Sequence, residues 1–199
     1  GRTMVAIAGH LVAGWATAVT VVQINGAVSL NRRPTTAANT AATIAQKAGG
    51  QVILLPSPAI LERLETKRAI ESDRTVAGVI ELAAGASAYL FSGGVADGTS
   101  ALVESGYLSG TDVTELRRKG AIGDVVGRFI DANGNIVDPG LDERTMGLSL
   151  EQLRAAANAI FVVSGEAKHP VARAVVTSGL CTVIVTDEAT ALALLEENA

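Results

Sequence analysis

Ala159-Ile160-Phe161-Val162-Val163-Ser164-Gly165-Glu166-Ala167-Lys168-His169-Pro170-Val171-Ala172-Arg173-Ala174-Val175-Val176 is the stretch that decides the fold. Its first five residues are an uninterrupted apolar run of strand length. From Pro170 the pattern turns helical, with the proline near the first turn, where its missing N–H is no loss. The loop between them, Gly165-Glu166-Ala167-Lys168, therefore sits at the carboxyl end of a strand and the amino end of a helix. Ligands of open α/β sheets bind in that crevice. An ammonium group beside a helix N-terminus is a natural receptor for phosphate. The competing reading of Lys168 is a solvated surface lysine, and the rest of the chain has to decide between the two.

Working outward, the same alternation recurs. Residues 19–24 read as a strand ending in Asn25-Gly26. Residues 37–48 read as a helix stopped by Gly49-Gly50, and 51–55 as a strand ended by Pro56-Ser57-Pro58. Residues 59–70 read as a charged amphipathic helix. Ser72-Asp73 caps another over 74–84. A strand over 86–91 is followed by a Ser92-Gly93-Gly94 loop. Asp112 with Glu115 has the spacing of a capping box opening a helix to Lys119, and Ser149 with Gln152 repeats it for a helix through Ala157. Residues 125–130 alternate as one strand, and Asp131-Ala132-Asn133-Gly134-Asn135 is a hairpin turn. A last strand, 182–186, precedes a helix from 188 to 197 capped by Asp187. Strands alternating with helices imply βαβ crossovers, hence an α/β fold with a mainly parallel sheet covered by helices on both faces. We read one domain over 1–199.

The 199 residues are 48% hydrophobic but only 3% aromatic, so the core is built from Ala, Val, Leu and Ile. The net charge is −4, and the longest basic clusters are Arg32-Arg33 and Arg117-Arg118-Lys119. This stretch is a poor nucleic-acid binder by itself. Cys181 is the single cysteine, read as a structural thiol in an apolar strand. No apolar run is long enough to span a bilayer, and the expectation is a cytoplasmic protein without membrane contact. The opening, Gly1-Arg2-Thr3 running straight into a helix-like segment over 4–15, looks cut from a longer polypeptide.

The loops that follow the strands gather backbone amides, the Thr3 hydroxyl, the Asn25 amide, the Asp124 carboxylate and Lys168. That inventory suits a phosphorylated polyol. Thr3, Lys168 and backbone amides take the phosphate, and Asn25 and Asp124 pair with hydroxyls. Buried hydroxyls left unpaired would cost about 1–3 kcal/mol each. Asp124 has the alternative of a cap, Asn25 that of a turn former, and Arg2 either touches the anion or points to solvent. The Gly93 to Gly98 glycine spacing is that of a P-loop, but Thr99 stands where the lysine belongs, so ATP is disfavoured. No Gly-x-Gly-x-x-Gly favours a dinucleotide, and His10 and His169 do not make a metal site, so no cofactor is expected. His169 lies within reach of a ligand at Lys168. Trp15 is read as core, Arg117-Arg118-Lys119 as a solvated helix end and Arg32-Arg33 as a surface loop.

Together these motifs resemble a family. Gly106-Tyr107-Leu108, Leu116, Gly120-Ala121-Ile122-Gly123-Asp124, Gly127-Arg128-Phe129, Asp131-Ala132-Asn133-Gly134 and Gly165-Glu166-Ala167-Lys168 resemble the effector-binding domain of SorC/DeoR-type bacterial sugar-responsive transcriptional regulators. So do Asn25-Gly26, Ala38-Asn39-Thr40, Leu55-Pro56-Ser57-Pro58 and the segment from Val183 to Ala191. The resemblance spans essentially the whole chain. It implies a Rossmann-like fold related to glucosamine-6-phosphate deaminase, ribose-5-phosphate isomerase and CoA transferases. It also implies a phosphorylated sugar effector, assembly into a homodimer or homotetramer, and DNA binding only through an N-terminal helix-turn-helix domain absent from this chain. By position, Gly1, Arg2 and Thr3 match the family's phosphate-binding loop and Lys168 its phosphate-contacting lysine. Asp124 matches the acidic position facing the sugar, and Asn25-Gly26 a ligand loop in which some members use a different side chain. Glu166 stands where the family often has glycine, which bears on effector choice. The implied role is ligand sensing, not catalysis. The alternative is a sugar-phosphate isomerase or deaminase drawing on Asp124, Glu166 and His169.

Overall fold

The computed structural model describes residues 1–26 and 37–196. The expected Arg32-Arg33 loop and the end of the last helix at Glu197 lie outside them. The chain divides into two compact units: Gly1–Ala86 with Arg144–Leu148, and Ser87–Glu143 with Ser149–Ala199.

The first unit contains helix α1 (Arg2–His10), strand β1 (Thr20–Val22), α2 (Ala37–Lys47), β2 (Gln51–Ile53), α3 (Leu64–Glu71) and α4 (Arg74–Ala84). β1 and β2 pair in parallel, Val21 opposite Val52. α2 buries Ala41, Ile44 and Ala45, a three-to-four spacing that presents one apolar stripe. Small side chains there let α1 approach, and Lys47 Nζ donates to the carbonyls of Ala8, Gly9 and Leu11 at 2.9, 2.8 and 2.6 Å. A cation thus closes the negative end of α1. Asp73 caps α4, accepting from the N–H groups of Thr75 and Val76. The Arg144–Leu148 segment returns to complete the unit. Met146 packs with Leu55, Leu61 and Val76, and its N–H donates to the Ala59 carbonyl at 2.8 Å.

The second unit contains β3 (Tyr89–Phe91), β4 (Gly93–Val95), α5 (Ala101–Glu104), α6 (Gly110–Arg118), β5 (Gly123–Val125) and β6 (Arg128–Ile130). After α7 (Pro139–Arg144) come α8 (Leu150–Arg154), β7 (Ala159–Val162), a 3-10 turn (Glu166–Lys168), α9 (His169–Thr177), β8 (Val183–Val185) and α10 (Glu188–Glu196). The order β3-β7-β8 makes a parallel sheet and β4-β5-β6 an antiparallel one. Register sets Phe91, Phe161 and Ile184 side by side on one face. The rings of Phe91 and Phe161 lie 5.3 Å apart and buried. Val171, Ala172, Ala174 and Val175 of α9 are fully buried.

Among the described residues the fold is mixed α/β with mainly parallel pairing. The parallel strands form two sheets, one in each unit. Several local expectations are corrected. Gly93-Gly94 is not a loop but β4, because its glycines admit neighbours that side chains would exclude. Residues 125–130 are not one strand. They are two, turned at Val126 and Gly127, whose φ angles of +47° and +86° are the left-handed pair that two-residue hairpins favour. The capping box opening α6 is Ser109 with Asp112, three residues earlier than read, since Ser109 supplies the hydroxyl that accepts the Asp112 N–H. The helix expected over 59–70 begins only at Leu64, and the first helix ends at His10. Trp15 is 41% exposed rather than core, its indole N–H donating to the Ile44 carbonyl. Cys181 lies before β8, half-buried, and burial raises its thiol pKa.

Phe161→Ala should lower unfolding stability by about 3–5 kcal/mol, because the side chain is wholly enclosed and its neighbours cannot collapse fully. Urea titration followed by circular dichroism measures it.

Candidate functional site

Glycines build the site in the second unit. A side chain at Gly93 would place its Cβ 3.1 Å from the methyls of Val171, and one at Gly123 2.8 Å from the Val171 Cβ. The antiparallel sheet therefore lies flush against the first turn of α9. That packing carries Asp124, at the centre of β5, toward the loop holding Lys168, whose charge acts on it. Asp124 pairs across the sheet with Gly94. A Cβ on Gly94 would stand 2.0 Å from Asp124 Oδ1, so the carboxylate occupies the space a side chain there would take. Its Oδ2 accepts the Gly127 N–H at 3.1 Å, which ties the acid to the hairpin turn.

The Lys168 loop begins where β7 ends. Gly165 has φ +94° and ψ 143°, a backbone state essentially closed to residues with a side chain. Its carbonyl accepts the Lys168 N–H at 2.9 Å, closing the 3-10 turn that delivers Lys168 to the N-cap of α9. The amino end of α9 and the lysine thus present positive charge to one place. Glu166 is exposed, and His169 Nε2 is buried without a hydrogen-bond partner. The loop N–H of Gly165 donates to Asp187 Oδ2 at 3.0 Å. Asp187 also caps α10, and the N–H groups of Thr190 and Gly165 hold its carboxyl below the usual range.

Of the seven site residues expected from sequence, Asp124 and Lys168 belong to this second unit, which brings them together. The other five belong to the first. Gly1 is the N-cap of α1 and its carbonyl accepts the Val5 N–H at 3.2 Å, leaving exposed Arg2 and half-buried Thr3 on the helix's first turn. Asn25 bridges to Gly147 in antiparallel fashion, and its carbonyl accepts from Gln23 Nε2 at 2.6 Å. Gly26 is pressed to the Pro58 carbonyl, where a Cβ would lie 2.0 Å away, and its N–H donates to the Met146 carbonyl at 3.4 Å. Reading the sequence missed Gly94 and the Asp187 contact to Gly165. Nothing marks Gly94 before its partner strand is known.

Among the described residues no group of three or more His, Cys, Asp or Glu is placed to hold a metal. Among the described residues, too, no helix is long and apolar enough to cross a membrane.

A family model described as "Putative sugar-binding domain" matches residues 1–196. The deoxyribonucleoside regulator of Bacillus subtilis is 32% identical, the match covering 99% of this chain and 63% of that protein. A solved domain of a "possible sugar-binding transcriptional regulator" from Arthrobacter aurescens TC1 is 33% identical with a TM-score of 0.81. It covers 98% of this chain and 75% of that one. A DeoR family transcriptional regulator from Listeria monocytogenes shares the fold, with a TM-score of 0.88 at 23% identity over 98% of this chain and 76% of that one. The chain spans about half to three-fifths of the length of the first curated relatives it matches.

Burial pushes the Asp124 carboxyl up to about 6, while the Gly127 N–H and the Lys168 charge pull it down. Between its ordinary value near 3.8 and about 6 the folded state holds more protons than the unfolded one. Ionisation of Asp124 therefore costs stability as pH rises through that window. Asp124→Asn keeps an acceptor for Gly127 and removes the charge. Its melting temperature minus that of the unmodified protein should increase between pH 4 and pH 7. A constant difference across that range would place the carboxyl at its ordinary value.

Proposed function

The chain belongs to this sugar-binding domain family of DeoR- and SorC-type transcriptional regulators, and from that premise we propose that it senses a phosphorylated sugar or polyol. The observation that carries the reading is the juxtaposition in the second unit of Lys168, the amino end of α9 and the Asp124 carboxylate. A dianionic phosphate is held by the ammonium at the positive end of the α9 dipole, a charge-assisted arrangement stronger than a neutral hydrogen bond. The carboxylate accepts from hydroxyls. It sits in a partly desolvated place where a hydroxyl that finds no acceptor is penalised. An inventory of one cation site beside one acceptor site selects a molecule that is anionic at one end and hydroxylated at the other.

In the first unit the proposed contacts are Gly1, Arg2 and Thr3, at a helix N-terminus whose other end is closed by Lys47, and the Asn25-Gly26 loop. The proposed role is regulatory. Effector binding shifts the balance between states of the full-length regulator that differ in operator affinity, in proportion to the effector's differential affinity for them. DNA is engaged through another domain of that regulator, and the working assembly is a cytoplasmic homodimer or homotetramer. The proposal is of a sensor that does not turn its ligand over.

In a thermal-shift screen, sugar phosphates should raise the melting temperature and their unphosphorylated counterparts should do so much less. Lys168→Ala should weaken binding by about ten- to a hundred-fold, the equivalent of one charge-assisted contact of roughly 1.5–3 kcal/mol. Isothermal titration calorimetry measures it, and unchanged affinity overturns the assignment of Lys168. Conversion of ribose 5-phosphate or glucosamine 6-phosphate by the pure protein would overturn the non-catalytic reading.

A further inference from the structure

We infer that Asp187 is a positioning residue for the ligand-facing loop: its carboxylate fixes Gly165 and thereby sets where Lys168 stands. The inference rests on the reading of Lys168 as the anion contact. β7 and β8 are parallel neighbours, Val162 opposite Val185, and the Val163 N–H donates to the Val185 carbonyl at 3.0 Å. Their carboxyl ends therefore open side by side. Gly165 leaves the first and Asp187 the second.

Asp187 divides its two oxygens between two tasks. Oδ1 accepts the Thr190 N–H at 2.8 Å, the ordinary work of a helix N-cap. Oδ2 accepts the Thr190 hydroxyl at 3.0 Å and, across the gap between strands, the Gly165 N–H at 3.0 Å. Thr190 is fully buried, so the carboxylate is anchored on a fixed point and not on a mobile side chain. α10 is in turn fastened to α9, the Arg173 guanidinium donating to the Ala193 carbonyl. The helix that follows Lys168 and the glycine that precedes it are thus both tied to α10.

The joint at Gly165 is where such a tie matters most. Its left-handed conformation is permitted only to glycine, the residue with the greatest freedom to leave it. Without an external partner for its N–H, Gly165 can turn about its own φ and ψ, and the 3-10 turn closed by the Lys168 N–H on the Gly165 carbonyl moves with it. A helix cap needs only one of the two oxygens. The second oxygen, spent on a neighbouring loop, is what a cap alone does not explain.

The test separates the two tasks. Asp187→Ser keeps an N-cap hydroxyl of comparable capping strength but is too short to reach Gly165. Asp187→Asn keeps one accepting oxygen and serves as the second variant should the serine form fail to fold. Affinity is measured by calorimetry on the full chain, using the tightest binder among ribose 5-phosphate, glucosamine 6-phosphate and inorganic phosphate. Hydrogen exchange of the Gly165 amide is followed in parallel. The expected result is an affinity loss of about ten-fold, the scale on which outer hydrogen-bond partners of ligating groups act, with faster Gly165 exchange and a near-unchanged melting temperature. In a Lys168→Ala background the same Asp187 change should have no further effect, because it acts through the lysine. Unaltered affinity, or an equal loss with and without Lys168, overturns the inference and leaves the sensor reading standing. If the unmodified protein binds none of the three probes, the sensor reading itself falls and this inference with it.

Discussion

Everything in the second unit depends on how closely α9 approaches the antiparallel sheet. Val171 stands on the backbone of Gly93 and Gly123, and any larger residue at either position would push helix and sheet apart. Close packing of this kind does not tolerate an extra methyl without displacement. The approach is what carries an acidic side chain on β5 toward a basic one at the start of α9. The chemistry of the site is thus a consequence of three missing side chains, at Gly93, Gly94 and Gly123, as much as of the charged groups present.

The charges then settle their own positions. Asp124 is desolvated, which opposes its ionisation, and the Lys168 charge and the Gly127 N–H offset that only in part. A carboxylate so balanced can take up a hydrogen-bonded hydroxyl in place of the water it has lost. Lys168 is delivered by a short 3-10 turn that offers little slack between Gly165 and α9. A rigid backbone on both sides suits the proposed role of sensor, in which the signal would be the energy difference between bound and unbound forms.

Much of this was legible in the sequence, for identifiable reasons. The strand, loop and helix around Lys168 could be read because an apolar run, a glycine and a proline mark each boundary. Asp73, Ser149 and Asp187 announced their helices because capping is local chemistry. β4 was not legible, since glycines are depleted from strands and Gly93-Gly94 reads as a turn. The β5–β6 hairpin escaped because its turn is Val126-Gly127, without the Asn-Gly or Asp-Gly signature. Trp15 looked like core because it is large and apolar, but a half-open seat with one carbonyl for its N–H is enough for it. The Asp187 contact to Gly165 depends on which strands are neighbours, and that is a long-range property no local window contains.

The turn at Val126 has a consequence for how this protein can change. A β-branched residue at φ +47° carries a penalty of order 1–3 kcal/mol that glycine or asparagine would relieve. The same turn presents the Gly127 N–H that steadies Asp124. Asparagine there would complete an Asn-Gly turn of the kind two-residue hairpins favour, relieving the strain while keeping the Gly127 N–H in place. Stability and the aim of the carboxylate are therefore not opposed at this position: the turn can shed its strain without loosening its hold on Asp124.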